Sequence, residues 1–321
     1  MLSVFKTSRD DWFGDLKNNL FAGLVVSIAV IPEVAGFAII SGVNPITALF
    51  GSAIMLLVVS FTTGRPGLVT SAAGTMALVM APLVRNYGME YMILATLITG
   101  VIQIVLSYLN FHRVIRFVPQ SVMAGFVNAL GIIIFMAQVT QLPGQTMKTY
   151  AFVALGIVLM VVLPKFIKSV PPALIIVVLM TIYVVAVPGG ADGLKTINDL
   201  GDMSGALGSF GLNIPPLTWE TFQIVLPYSF WLVIVGLTEA LFTTPLIDDM
   251  TETSSDSKQE VKAQGFANIA AGLFGAPAGC AMVGQSVINV QSGGTRRSST
   301  LIGGISLLLL LVIFTDIMVQ I

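Results

Sequence analysis

Charge is what this sequence has least of: 15 Lys and Arg, 16 Asp and Glu and one His make charged residues only 10% of 321. With 55% hydrophobic residues and a mean hydropathy of +0.93, that scarcity excludes a soluble domain of this size, which would aggregate through its own surface. The single cysteine, Cys280, excludes an internal disulfide. One histidine and one thiol leave no metal cluster and no nucleophile–base set inside the apolar segments, which sets aside an intramembrane enzyme. The opening MLSVFKTSRDDWFGDLKNN has acids and bases where a signal peptide would have an unbroken apolar stretch, and it is not read as one. No nucleic-acid partner is expected of such a chain.

What the sequence has in abundance is apolar length. Stretches such as Ile93 to Tyr108, Phe126 to Val139, Ala173 to Val187 and Leu301 to Ile317 approach the roughly 20 residues that cross a bilayer, so an all-α polytopic membrane protein is expected. Spans are predicted at 18–41, 44–63, 67–84, 89–109, 117–139, 149–165, 171–188, 222–246, 258–275, 279–292 and 299–320, about eleven in all. With the N-terminus inside, Lys6, Arg9, Lys17, Arg65, Arg113, Arg116, Lys165, Lys168, Lys258, Lys262, Arg296 and Arg297 collect at cytoplasmic ends. Only Arg85, Lys148 and Lys195 fall outside. That is the positive-inside asymmetry, and one span more or fewer would scramble it. The expectation is a multi-pass protein of the cytoplasmic membrane with the lipid bilayer as its partner, residues 1–17 lying at the cytoplasmic interface on Trp12 and Phe13. His112, in FHRVIR, reads as an interfacial surface residue. DDMTETSSDSKQE, with Asp248, Asp249, Glu252 and Asp256, reads as a solvated loop with no ligand role.

A polar, glycine-rich stretch at 189–221 is expected outside the membrane. It divides the chain into a first repeat, 18–188, and an incomplete second one, 222–321. Their features correspond: an acid in the opening span of each (Glu33 in VIPEVAGFA, Glu239 in GLTEALFTT), then some forty residues on a segment of small residues (GLVTSAAGTMALVMAP, AGCAMVGQSVINV). Seven spans is an odd number, so consecutive copies are inverted. Paired irregular segments in inverted repeats point to a transporter's binding site. Glu33 would cost about 2.5–3.5 kcal/mol at the centre of a span unless it is paired, protonated or facing water. Pro32 frees a backbone carbonyl beside it. The plainer alternative is that Glu33 sits near the span's end or is hydrogen-bonded within the bundle. Glu239 lies deeper, with Thr243 one turn on, so the two are placed to hold a cation, or Glu239 to carry a proton.

The run GLFGAPAGCAMVGQSVINVQSGG, Gly272 to Gly294, is too apolar for a surface loop and too rich in glycine and small residues for a good membrane helix. Extended backbone at membrane depth is tolerated only where protein buries it or it lines a cavity. Two short strands, one from each repeat, crossing at the midplane would satisfy one another, each turning into a half-helix in spans 3 and 10. Each half-helix N-terminus carries unpaired N–H groups and about half a positive charge, so together they attract an anion. No basic residue falls deep within any span. The alternative for this run is tight helix packing through small residues. Cys280, by itself, reads as one more small residue.

GFANIAAGLFGAPAGCAMVGQSVINVQSGG, with IPEVAGFAIISGVNP in the first span and VPQSVMAGFVNALGIIIFMAQ in the fifth, resembles the SulP (sulfate permease) family, related to the solute carrier 26 anion transporters, over nearly the whole chain. The resemblance implies a 7+7 inverted-repeat fold, a core domain of spans 1–4 and 8–11, a gate domain of spans 5–7 and 12–14, and an anion held between half-helices 3 and 10. It places substrate near Ala73, Gly74 and Thr75 on one side and Gly284, Gln285 and Ser286 on the other, with Glu33 standing where many members carry glutamine. Glu239 falls at the family's acidic position in span 8. In sodium-coupled members an aspartate there, a threonine one turn on and the start of span 10 hold Na⁺, which maps to Glu239, Thr243, Cys280 and Ala281. Glutamate for aspartate leaves Na⁺, H⁺ or a counter-anion open as the coupling species, and no other cofactor is expected. The family continues through three more spans, usually into a STAS domain, and the resemblance implies a homodimer at full length. A chain ending at Ile321 lacks those spans and is not expected to transport alone. The implied function is secondary active transport of a small inorganic anion, sulfate or bicarbonate first, by an elevator-like movement. A proton-coupled nucleobase permease of the same architecture and a passive anion channel are the rivals.

Overall fold

The computed structural model describes residues 8–111, 113, 120–140, 142–167, 172–190, 192–194 and 213–313. His112, Lys6, Arg116, Lys168, Lys195, most of the 189–221 stretch and the last residues of the eleventh predicted span lie outside the described residues. Among the described residues, five helices are long and apolar enough to cross a bilayer: α2 (Leu16–Ser41), α3 (Pro45–Thr62), α5 (Met89–Tyr108), α7 (Met147–Phe166) and α9 (Trp219–Thr251), after the short α1 (Arg9–Phe13). The rest are α4 (Gly74–Tyr87), α6 (Gln120–Val139), α8 (Pro172–Ala186), α10 (Ser257–Leu273), α11 (Val283–Gln291) and α12 (Arg297–Ile313), with two strands, β1 (Thr70–Ala72) and β2 (Gly279–Ala281). At 14 and 9 residues, α4 and α11 are roughly 21 and 14 Å long, well short of a hydrocarbon layer of about 30 Å. Each crosses only together with the extended strand before it.

The strands pair antiparallel at the heart of the molecule, Thr70 opposite Ala281, Ser71 opposite Cys280 and Ala72 opposite Gly279, every residue buried. Two three-residue strands cannot satisfy a buried backbone alone, and polar side chains from the surrounding helices complete the accounting. Ser52 of α3 accepts from Ala72 N–H, while Asn268 of α10 both accepts from Gly279 N–H at 2.8 Å and donates to its carbonyl at 3.1 Å. Gln103 of α5 accepts from Asn268, and Gln264 donates to Thr70. Asn289 reaches back from α11 to Gly67 O, at the entry to β1.

Small residues set the spacing of the helices around this crossing. A Cβ on Gly100 of α5 would sit 2.6 Å from the Gly265 carbonyl of α10, and one on Gly265 would sit 2.7 Å from the Gly100 carbonyl, so the two backbones touch. At β2, a Cβ on Gly279 would lie 2.2 Å from Ser71 O. Helices α6 to α8 are different: α7 buries no residue, Ile132, Phe135, Ile157 and Val161 are exposed, and α8 meets the rest at α2.

One expectation is corrected at the end carrying α1. Asp248 and Asp249 are not in a loop: α9 continues to Thr251 and stops at Glu252, which takes a left-handed conformation. The helix is held that far because Arg65 ion-pairs with Asp248 at 2.9 Å and donates to Ile247 O and the Thr251 hydroxyl, closing the last turn of α9. Burial pulls the Arg65 guanidinium down from the usual arginine range, while Asp248 and Glu260 push it back up. Fully buried Glu260 accepts from Thr63 Oγ1 at 2.5 Å and Gly64 N–H at 3.0 Å, and Arg297 donates to Ser60 O and Thr63 O. Asp256, also predicted in the loop, caps α10 through Gln259 N–H. Trp12 packs against Phe61 with the rings tilted and their centroids 5.0 Å apart, and Phe13 is exposed, an arrangement suited to an interface.

Candidate functional site

Helices α4 and α11 both start at the strand crossing. Ala73 and Met282 are their N-caps, extended in backbone and without a side-chain hydrogen bond to the helix. The first bonds of the two helices are Ala77 N–H to Ala73 O and Ser286 N–H to Met282 O. The N–H groups of Gly74, Thr75 and Met76, and of Val283, Gly284 and Gln285, precede them and have no helical acceptor. Both caps are buried, at 2% and 6% exposure. Water is therefore not the ready partner that it is at a surface helix end.

The predicted residues gather in two groups around these starts. In the first, Glu239 of α9 reaches the beginning of α4 and the middle of β2. Its Oε2 accepts from the Thr75 hydroxyl at 2.7 Å and from the Cys280 thiol at 3.2 Å, the two donors lying 3.9 Å apart. Thr243 is one turn beyond Glu239, yet its hydroxyl donates to the Glu239 backbone carbonyl at 2.7 Å and to Ala281 O at 3.3 Å. The structure thus joins Thr75, expected beside the substrate, to the residues expected to hold a coupling ion. Oxygens within this group are the Glu239 carboxylate and carbonyl, the Thr75 and Thr243 hydroxyls and the Ala281 carbonyl; Cys280 contributes sulfur, a soft donor ill matched to sodium. Among the described residues there is no cluster of three or more His, Cys, Asp or Glu.

The second group lies at the start of α11. Glu33 of α2 keeps an accessible face, and its carboxyl accepts a hydrogen bond from the side chain of Gln285. Gln285 donates through Nε2 to Ala29 O at 3.3 Å, in the turn of α2 that Pro32 interrupts. Gly284 is exposed, and a Cβ built on it would meet nothing within 4 Å, the reverse of Gly279 five residues earlier. The glycine-rich run therefore serves both alternatives, tight packing at Gly279 and open space at Gly284. Ser286 differs from its predicted neighbours, since its hydroxyl donates to Met282 O at 2.6 Å and accepts from Val69 N–H at 3.0 Å, so it is already engaged in holding β1. Glu33 and Glu239 lie within electrostatic reach of one another. Gln103, Gln264, Asn268 and Asn289 were not predicted; amides inside apolar spans were the available signal for them.

The comparisons agree with this geometry. The sequence model of the Sulfate permease family matches residues 16–155 and 146–321. YbaR of Bacillus subtilis (strain 168), which carries a sulfate-transporter name, is 43% identical over 315 residues, covering 98% of this chain and 65% of its own. The bicarbonate transporter BicA of Picosynechococcus sp. is 26% identical, covering 93% of this chain and 58% of its own. This chain thus spans about two thirds of these relatives' length or less. Among solved structures, the transmembrane domain of a cyanobacterial BicA superposes with a TM-score of 0.84 at 24% identity, covering 96% of this chain and 85% of that one. The murine solute carrier 26 family member A9 in its inward-facing state gives 0.77 at 16%, covering 98% and 59%. The fold is the inverted repeat of these transmembrane domains.

Proposed function

Because the chain belongs to the Sulfate permease family, we propose that it carries a small inorganic anion, sulfate or bicarbonate, across the cytoplasmic membrane by secondary active transport. The observation that carries this reading is the pair of buried, uncapped helix starts at Ala73 and Met282, meeting where two strands cross. Donors fixed in place by the fold lose no energy reorganising when an anion arrives, and the two helix ends supply roughly one positive charge without a lysine or arginine that would hold the ion too long. In this reading Gly74, Thr75, Gly284 and Gln285 present N–H groups to the substrate. Helices α2 to α5 and α9 to α12 form the moving core, and α6 to α8, of which α7 buries no residue, belong to the gate. Glu239 couples the ion gradient through its hydrogen bonds to Thr75 and Cys280, because any change in its charge or position is felt at the first turn of α4.

The site as described lies wholly within α2 to α5 and α9 to α12, so equilibrium binding to the purified chain tests it directly. Labelled sulfate or bicarbonate should bind saturably and compete with other small anions, whereas uracil should not compete. Uracil binding with no anion binding would overturn the reading in favour of a nucleobase permease. Coupling is tested by uptake into vesicles containing the intact transporter, with Na⁺ and H⁺ gradients imposed separately. Glu239→Gln should abolish gradient-driven accumulation, and unchanged accumulation would remove its role.

A further inference from the structure

A lysine stands nearly buried where the membrane surface is expected. Helix α5 has 20 residues and is about 30 Å long, one hydrocarbon thickness, so its last residue, Tyr108, falls at the headgroup boundary. Val101, Val105 and Tyr108 follow one another along a single face of α5 and are all exposed, as a lipid-facing stripe ending in an interfacial aromatic would be. Lys262 of α10 places its Nζ 4.8 Å from the centre of the Tyr108 ring. Only 8% of Lys262 is exposed, yet its Nζ is not sealed off. Lys258 lies one turn earlier on the same face of α10, half-buried, and its carbonyl accepts from the Ser107 hydroxyl at 2.8 Å, which fixes both lysines beside the last turn of α5.

Neither lysine has an ion-pair partner among the described residues, where the pairs are Arg65 with Asp248 and Arg296 with Asp10. The acids on α10 and at its cap are engaged elsewhere, Glu260 with Thr63, Gly64 and Gln264, and Asp256 with Gln259 N–H. Helix ends do not supply the difference, because the half negative charge at the end of α5 meets the half positive charge at the start of α10. A tyrosine face offsets only part of what it costs to bury an ammonium, and two like charges one turn apart repel. The pair therefore calls for an anion, and the apolar stripe beside it calls for one attached to hydrocarbon.

We propose that Lys262 and Lys258, with the Tyr108 ring against Lys262, form a binding site for the headgroup phosphate of an anionic phospholipid whose acyl chains lie along Val101 and Val105. A phosphodiester offers two free oxygens, one for each ammonium. A lysine whose stem is enclosed while its head reaches the interface is placed to meet such a group. The site is independent of what the protein carries. It stands on the helix that holds the strand crossing, since Asn268 of α10 binds Gly279 of β2 and the backbones of α5 and α10 touch at Gly100 and Gly265.

The test is native mass spectrometry of the purified, delipidated chain in a neutral detergent, titrated with phosphatidylglycerol or with phosphatidylcholine of the same acyl chains. One phosphatidylglycerol should be retained per chain at least about tenfold more tightly than phosphatidylcholine, since each lysine at a headgroup favours an anionic lipid by about fivefold. Lys262→Gln should lose about fivefold or more of that preference, while Lys262→Arg, which keeps the charge, should hold it within about twofold. Where Lys262→Gln does not give a folded chain, Lys258→Gln, at a half-buried position, carries the same expectation. Glycerophosphoglycerol, the same headgroup without acyl chains, should not displace the lipid at equal concentration. If it does, the site serves a soluble phosphate and the lipid assignment falls. Equal retention of the two lipids, or a preference unchanged when either lysine is replaced by glutamine, overturns it as well.

Discussion

Two kinds of helix start occur in this protein, and they treat the same problem in opposite ways. Helices α1, α3, α7, α9 and α10 begin with Ser8, Asn44, Thr146, Thr218 and Asp256, each accepting a backbone N–H of its own first turn. Helices α4 and α11, which start at the buried strand crossing, have Ala73 and Met282 there instead. Two other helices also lack a side-chain cap, α2 at exposed Asp15 and α5 at Gly88, but those ends lie where water can serve. A cap contributes about 1 kcal/mol even at a surface, and more is at stake where water is scarce. Omitting it at the two buried starts, where it would help most, leaves the N–H groups at the crossing without a capping acceptor from a side chain. In the proposed reading, stability is given up there for binding.

The comparison breaks most sharply if an acceptor is supplied in place of the ligand. Gly284→Asp puts a carboxylate at the second position of α11, where nothing lies within 4 Å of the new Cβ, so the helix has room for it. An acid in a first turn also suits the helix dipole. The expected outcome is a chain that melts no lower than the wild type and binds anions about 100-fold more weakly or worse, since bringing like charges together costs several kcal/mol. Thermal unfolding in detergent and anion titration, run on one preparation, read both quantities. Undiminished binding would mean that the start of α11 is not where the anion sits.

A smaller effect follows from making α4 ordinary. Ala73→Ser adds one oxygen to a residue that is already an extended N-cap, in position to accept from the first turn of α4. Stability should rise by about 1 kcal/mol and anion affinity fall by about tenfold, the two changes opposite in sign. A stabilised variant with unaltered affinity would show that the α4 donors take no part in binding, leaving α11 alone responsible.

The contrast between the two kinds of start was partly legible from residue order. Hydrophobic run length located the helices, and the shared run of small residues located both strands, because extended buried backbone excludes bulk: Gly279 lies where a Cβ would strike Ser71 O. The surrounding pins were not legible. Asn268 with Gln103 and Asn289 with Gly67 join residues more than 150 positions apart, and nothing local marks which polar residue in an apolar helix finds which backbone. For the same reason Thr75 was assigned to substrate alone, although its hydroxyl is given to Glu239 from 164 residues away. Asp248 read as loop because a run of acids looks solvated until Arg65, out of sight in the sequence, is brought against it.

The smallest effect on binding is expected at a start of the first kind, and it is the control that gives the others meaning. Asn44 accepts from Ile46 N–H at 2.8 Å and opens α3, which carries Ser52 to β1 but contributes no N–H to the anion space. Asn44→Ala should cost about 1 kcal/mol of stability, seen as a lower melting temperature, with anion affinity unchanged within about twofold. If affinity falls together with the melting temperature, binding at the crossing reports general stability, and the opposite signs expected for Ala73→Ser lose their diagnostic value. If affinity holds while stability drops, the two kinds of helix start are separable in energy as well as in sequence, because a capped start then serves the fold while an uncapped one serves the ligand.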